Sequence, residues 1–263
     1  MRRFTWFQVI AATFVLSLGS IPAGRLLAAD YGTLTGRFVL EGDIPKFEDL
    51  VKAGDPKAKD PAVCAKDSVP DESLVVDPQT KGIANVFVFL SKAPKDVHPD
   101  LKASAERLVK FDQKGCRFFP HALILRTDQE IAILSGDPIS HNTHVNPVRN
   151  ASQNQTIGGN ERSGLVKWNF ALPERSPAKV NCDIHGWMNA WWLIVDHPYA
   201  ALSDKEGKVT IEKIPAGTHN FLIWQERSEW LLGPQKRSIK VTIKPNETTD
   251  IGVMKIPAST FAK

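Results

Sequence analysis

Cys182, His185 and Met188 put a thiol, an imidazole and a thioether within seven residues, in Asn181-Cys182-Asp183-Ile184-His185-Gly186-Trp187-Met188. Sulfur donors with imidazole suit copper, and two histidines, one cysteine and a weak axial methionine make a trigonal electron-transfer site. This stretch holds one histidine, so the second must come from elsewhere; Ser140-His141-Asn142-Thr143-His144 offers it. The expected ligand set is His141, Cys182 as thiolate, His185 and Met188. Gly186 is expected to relieve crowding between two of these donors, and Asn142 to tie the two segments together and hold a ligand ring by hydrogen bonding.

Other chemistries use the same residues. His141 and His144 with Cys182 and His185 give four nitrogen and sulfur donors for tetrahedral zinc. That reading leaves Met188 idle and needs a bend, since residues three apart in an extended chain face opposite ways. Cys182 with His185 and Asp183 can be arranged as a nucleophile, base and orienting group, again without Met188. Covalent haem needs Cys-x-x-Cys-His, which is absent. His121, following Pro120, is a candidate to approach the metal or to pair with His144, and equally a histidine bonded near the end of a sheet. Copper is preferred on donor softness, for electron transfer between redox protein partners with no substrate turned over. Copper storage or delivery and a structural zinc scaffold are the alternatives.

Short strands must position these donors. Thr33–Glu41 alternates, with Leu34, Phe38 and Leu40 on one face, and Ile83–Leu90 is apolar but for Asn85, as in a strand buried on both faces. Residues 43–82 are punctuated by proline and rich in Lys and Asp, the pattern of a loop. Further strands are expected at Leu108–Phe111, Phe118–Leu125, Glu130–Leu134, Leu165–Leu172, Ala178–Cys182 and Ala190–Val195. Residues 100–110 are a weak helical candidate. His185 and Met188 then lie on a strand-to-strand loop, and Asp137-Pro138 turns the chain so that His141 sits at a strand end. Trp187, Trp191 and Trp192 are candidates for an apolar docking rim, although neighbours on a strand point to opposite faces and core packing accounts for one of the pair equally well. After Asp196-His197-Pro198, strands at Gly207–Glu212, Gly217–Trp224 and Arg237–Ile243 suggest a second, smaller β-sandwich over 199–256. The fold expected is all-β, a Greek-key β-sandwich over 30–198 followed by that smaller one.

Residues 1–29 have the form of a secretory signal peptide: Arg2 and Arg3, an apolar run Val9–Leu18, then small residues to Ala28-Ala29. The run is shorter than the about 20 residues that span a bilayer, so an exported (periplasmic or extracellular) protein without a span in its mature form is expected. Setting the leader aside leaves 30 basic against 29 acidic residues, which gives nucleic acid no electrostatic footprint. With Cys182 committed to metal, Cys64 and Cys116 remain as a disulfide candidate in an oxidising compartment, or as two free thiols.

Asp137…His141-Asn142 with Asn181-Cys182-Asp183-Ile184-His185-Gly186-Trp187-Met188 resembles the cupredoxins, the plastocyanin-like blue-copper family, over about 105–197. The resemblance implies one mononuclear copper on His141, Cys182 and His185, with Met188 axial, cycling between Cu(I) and Cu(II). The His-to-Met spacing is shorter than in plastocyanins. Cys116-Arg117-Phe118-Phe119-Pro120-His121 and Asp196-His197-Pro198-Tyr199 look like the bacterial methylamine-utilisation or plastocyanin-like type. Asp204-Lys205-Glu206-Gly207 with Ile214-Pro215-Ala216-Gly217-Thr218 is similar to carboxypeptidase regulatory-like modules, which implies a β-sandwich that adds no catalytic residue.

Overall fold

The computed structural model describes Met1, residues 30–233 and residues 235–262. The expected leader lies, apart from Met1, outside the described residues. The described chain is all-β, with one four-residue helix, Pro61–Cys64, and two short 3₁₀ turns. No described helix is long and apolar enough to cross a membrane.

Two pairs of sheets are present. In the first pair, Tyr31–Glu41 runs antiparallel to Lys208–Pro215 and parallel to Thr248–Pro257. Facing it, Phe87–Leu90 lies between Ala200–Leu202 and Gly217–Gln225, and the latter also pairs with Ser238–Ile243. Leu34, Phe38, Val88, Leu90, Ile211, Phe221 and Ile243 fill the space between. These pairings cross the boundary expected at 198/199: strands from the start of the chain are built into the sheets of its last third. Alternation within one strand shows where its faces go, but the choice of partner depends on which distant strand completes the core.

In the second pair, a five-stranded sheet runs Ala122–Arg126, Asn189–Val195, Ala178–Asn181, His141–Asn146, Gln153–Ile157. Opposite lie Phe118–Phe119, Leu108–Gln113, Glu130–Ile133 and Lys167–Trp168. Their common core holds Phe111, Leu125, Ile131, Val145, Val180, Ile194 and the fully buried Trp192, with Cys182 and Met188 at its edge.

The two pairs pack together through their apolar strands. Phe87 and Phe89 point away from Val88 and Leu90 into a seam with Leu193, Val195 and Trp224, so Phe87–Leu90, the half of the expected strand Ile83–Leu90 that forms one, is buried on both faces. Trp192 enters the core of the second pair of sheets while Trp191 stacks on Trp224 at 4.8 Å. The three tryptophans therefore form no common rim, because alternation separates the adjacent pair.

Local expectations fail where polar sequence pairs and where apolar sequence does not. His141–Asn146 and Gln153–Ile157 are strands, invisible to a hydrophobic pattern because they carry little apolar residue. Leu165–Leu172 pairs only at Lys167–Trp168, with Leu165 exposed. Phe118–Leu125 is interrupted at Pro120, which has no N–H to donate to a ladder. Residues 100–110 hold only the end of a 3₁₀ turn, Pro99–Leu101, and the beginning of strand Leu108–Gln113. The loop 43–82 is anchored by a small cluster of Val51, Ala65 and Val69 against Trp187, and by a disulfide from Cys64 to Cys116 with a Cα separation of 5.2 Å. Closing a loop across 52 residues of sequence restricts the unfolded chain by about 4 kcal/mol in the chain-entropy account.

Candidate metal centre

Two antiparallel neighbours, His141–Asn146 and Ala178–Asn181, place the first two donors, and the loop that follows the second strand carries His185. His141 opens the first strand, and Cys182 follows the last residue of the second. The chain then folds back on itself: Met188 N–H donates to the His185 carbonyl (2.9 Å) and Cys182 N–H to the Met188 carbonyl (3.2 Å). A Cβ placed on Gly186 would meet nothing within 4 Å, so the expected relief of crowding has no role in this turn.

Donor atoms of His141, Cys182 and His185 lie within 4.8 Å of one another, and all three residues are buried. The Nδ1 atoms of the two histidines face each other at 3.0 Å, and Cys182 Sγ is 3.8 Å from His185 Nδ1. Each ring has its far nitrogen on a carboxylate: His141 Nε2 on Asp137 at 2.8 Å, His185 Nε2 on Asp60 at 2.9 Å. A carboxylate accepts, so each Nε2 carries a proton, which leaves the two Nδ1 atoms to face each other. Two facing lone pairs beside a sulfur call for a proton or a cation between them. This donor set fits copper. Met188 is buried in the same cluster.

The surroundings charge the site. Burial opposes protonation of His141, but the Asp137 carboxylate and the Cys182 sulfur outweigh it and raise its pKa to about 9. Burial likewise opposes a Cys182 thiolate. His141, His185 and the backbone N–H groups of Asn142 and His185 outweigh it and lower that pKa to about 6. Asp137 is held below its ordinary value despite burial, since it accepts from His141 and from the N–H groups of Gly115 (2.6 Å) and Cys116 (2.8 Å).

Asn142 joins the two segments. Its Oδ1 accepts from the N–H groups of Asp183 (2.7 Å) and Ile184 (3.2 Å) and lies 3.2 Å from Cys182 Sγ. Its Nδ2 donates to Asp183 and Asn154, and its N–H points at the sulfur from 3.5 Å. His144 faces outward and bonds Asp183 at 3.1 Å, as its odd offset from His141 on one strand requires. His121 bonds Glu226 at 2.5 Å across the seam between the two sandwiches; burial opposes its protonation, yet Glu226 raises its pKa. Neither histidine joins the three-donor cluster. Cys116 also falls within 4.8 Å of Asp137 and His141, with its sulfur bonded to Cys64.

Asp60 carries no motif. It sits 125 residues before the histidine it holds, in a Lys- and Asp-rich loop where no pattern distinguishes it from its neighbours. The only available signal is its place four residues before Cys64.

No protein-family model matches the chain, and no curated protein sequence matches it. Solved structures similar to it include cupredoxins and a copper enzyme, at low identity, partial coverage and low TM-score. A copper-containing nitrite reductase from Thermus scotoductus is 17% identical, covering 40% of this chain and 25% of its own, with TM-score 0.29. The chain thus spans about a quarter of that enzyme. A purple cupredoxin from Nitrosopumilus maritimus is 14% identical over 33% of this chain and 98% of its own, with TM-score 0.27. Amicyanin from Paracoccus versutus is 10% identical over 41% of this chain and 96% of its own, with TM-score 0.26.

Proposed function

We propose that this chain is an exported, mononuclear copper protein that carries single electrons between redox protein partners, with copper on His141, Cys182, His185 and, axially, Met188. The observation that carries the reading is the pair of Nδ1 atoms facing each other at 3.0 Å beside the Cys182 sulfur, each ring fixed from behind by a carboxylate. Copper bound there supplies a one-electron couple. The protein's part is to hold three donors in place before and after transfer. The sheet fixes His141 and Cys182, Asn142 ties one to the other, and burial keeps water away. Donors that need not move lower the reorganisation accompanying each transfer.

In this reading the copper-bearing sandwich is residues 105–198, covered by the loop 43–82, and the second sandwich is assembled from Tyr31–Glu41 and Phe87–Leu90 with the strands that follow residue 199. We read the second as a carboxypeptidase regulatory-like module, an added module rather than an added activity.

The test is metal analysis of the purified protein, followed by optical and EPR spectra after stoichiometric Cu(II). An intense visible thiolate-to-copper band with narrow copper hyperfine splitting is expected. A colourless protein that already holds zinc, or that takes up no copper, overturns the reading.

A further inference from the structure

Both outer nitrogens of the histidine pair are held by carboxylates, and the two carboxylates lie at opposite ends of one disulfide. On one side, Cys116 N–H donates to Asp137, which accepts from His141 Nε2. On the other, Cys64 closes the helical turn Pro61–Cys64, in which the N–H groups of Val63 and Cys64 donate to the Asp60 carbonyl at 3.0 and 2.9 Å. Asp60 itself accepts from His185 Nε2.

The path His185, Asp60, Cys64, Cys116, Asp137, His141 is therefore continuous through hydrogen bonds, one helical turn and a covalent bond. Trp187 adds a third tie, donating from Nε1 to the Cys116 carbonyl at 3.2 Å while its ring meets His185 edge-on at 5.3 Å. The backbone at Asp60 is left-handed, with φ 52° and ψ 55°, a conformation that asparagine and aspartate adopt more readily than most residues. The following Pro61 favours extended backbone in the residue before it, so the packed loop, not local preference, holds this conformation. With the loop packed in this way, His185 has no exposed surface, although it lies on a loop at the end of a sheet.

We infer that Asp60 and the Cys64–Cys116 disulfide form a brace that fixes the two histidines from outside, with Asp60 a positioning residue for His185. The inference about copper rests on the reading above; the brace itself is a property of the chain with or without metal.

The experiment uses the full chain in four forms: wild type, Asp60→Ala, Asp60→Asn, and the double variant Cys64→Ser/Cys116→Ser. The first readout is hydrogen exchange at His185 Nε2, followed by NMR in the metal-free protein. The wild-type proton is expected to be protected, and the protection to be lost in Asp60→Ala and weakened in the double variant. The second readout is transfer of copper to a chelator, expected to be about 10–100-fold faster in Asp60→Ala, with a raised reduction potential because an anion beside the ligand is gone. Asp60→Asn keeps an acceptor of the same size, so it is expected to restore retention while leaving the potential raised; a merely structural role would restore both. Unchanged exchange at His185 in Asp60→Ala overturns the brace. Failure of the wild type to take up copper overturns the copper reading alone, and the exchange measurement then still decides the brace.

Discussion

The charge state of the metal-free site predicts how copper affinity varies with pH. Between about 6, where Cys182 ionises, and about 9, where His141 loses its proton, the pair stands as thiolate and imidazolium. Copper needs both groups deprotonated, so in this window binding displaces one proton, the one on His141. Apparent affinity then rises about tenfold per pH unit, or about 100-fold from about pH 6.5 to about pH 8.5. Below about pH 6 the Cys182 proton must leave as well, and these two groups steepen the slope to about 100-fold per unit.

Stability of the metal-free protein behaves differently. His141, whose pKa is raised, contributes stability that is complete below its ordinary 6.5 and lost as pH rises through about 9. Cys182, whose pKa is lowered, contributes stability that is complete above its ordinary 9.0 and lost as pH falls through about 6. Across the shared window the two slopes cancel. The assay is copper competition against a chelator of known pH response, with denaturant unfolding of the metal-free protein as control. Proton release on binding is read independently by calorimetry in buffers of different ionisation enthalpy. Affinity that does not change between about pH 6.5 and about pH 8.5, once corrected for the chelator, would refute the assigned charge state.

Three substitutions probe other parts of the argument. Cys182→Ser is expected to abolish the thiolate-to-copper band, and a retained band would remove Cys182 from the ligand set. Met188→Leu is expected to keep copper bound and raise the reduction potential, because loss of a weak axial donor favours Cu(I); an unchanged potential would show that Met188 is not axial. Trp192→Ala empties the centre of the copper-side core, where the ring meets Phe111 edge-on at 4.8 Å, and is expected to cost about 3–5 kcal/mol in denaturant unfolding. A loss below about 1 kcal/mol would mean that the two sheets do not depend on this packing.

The sequence by itself determined what depends on residue type and short spacing. Cys182, His185 and Met188 read as donors because three soft or imidazole groups fall within seven residues. The all-β class followed from alternation that never becomes helical, and double burial from the apolar run in Ile83–Leu90, of which Phe87–Leu90 forms the strand. Tertiary structure alone decided the pairings between distant residues. A strand's pattern gives its faces but not its neighbour, so nothing in Tyr31–Glu41 announces Thr248–Pro257 as its parallel partner. Polar strands such as His141–Asn146 exist because the sheet around them supplies their hydrogen-bond partners, not because their own residues demand burial. Asp60 is the clearest case. A carboxylate accepts a hydrogen bond wherever it lies, and only the folding of residues 43–82 over the loop at 182–188 brings this one to His185.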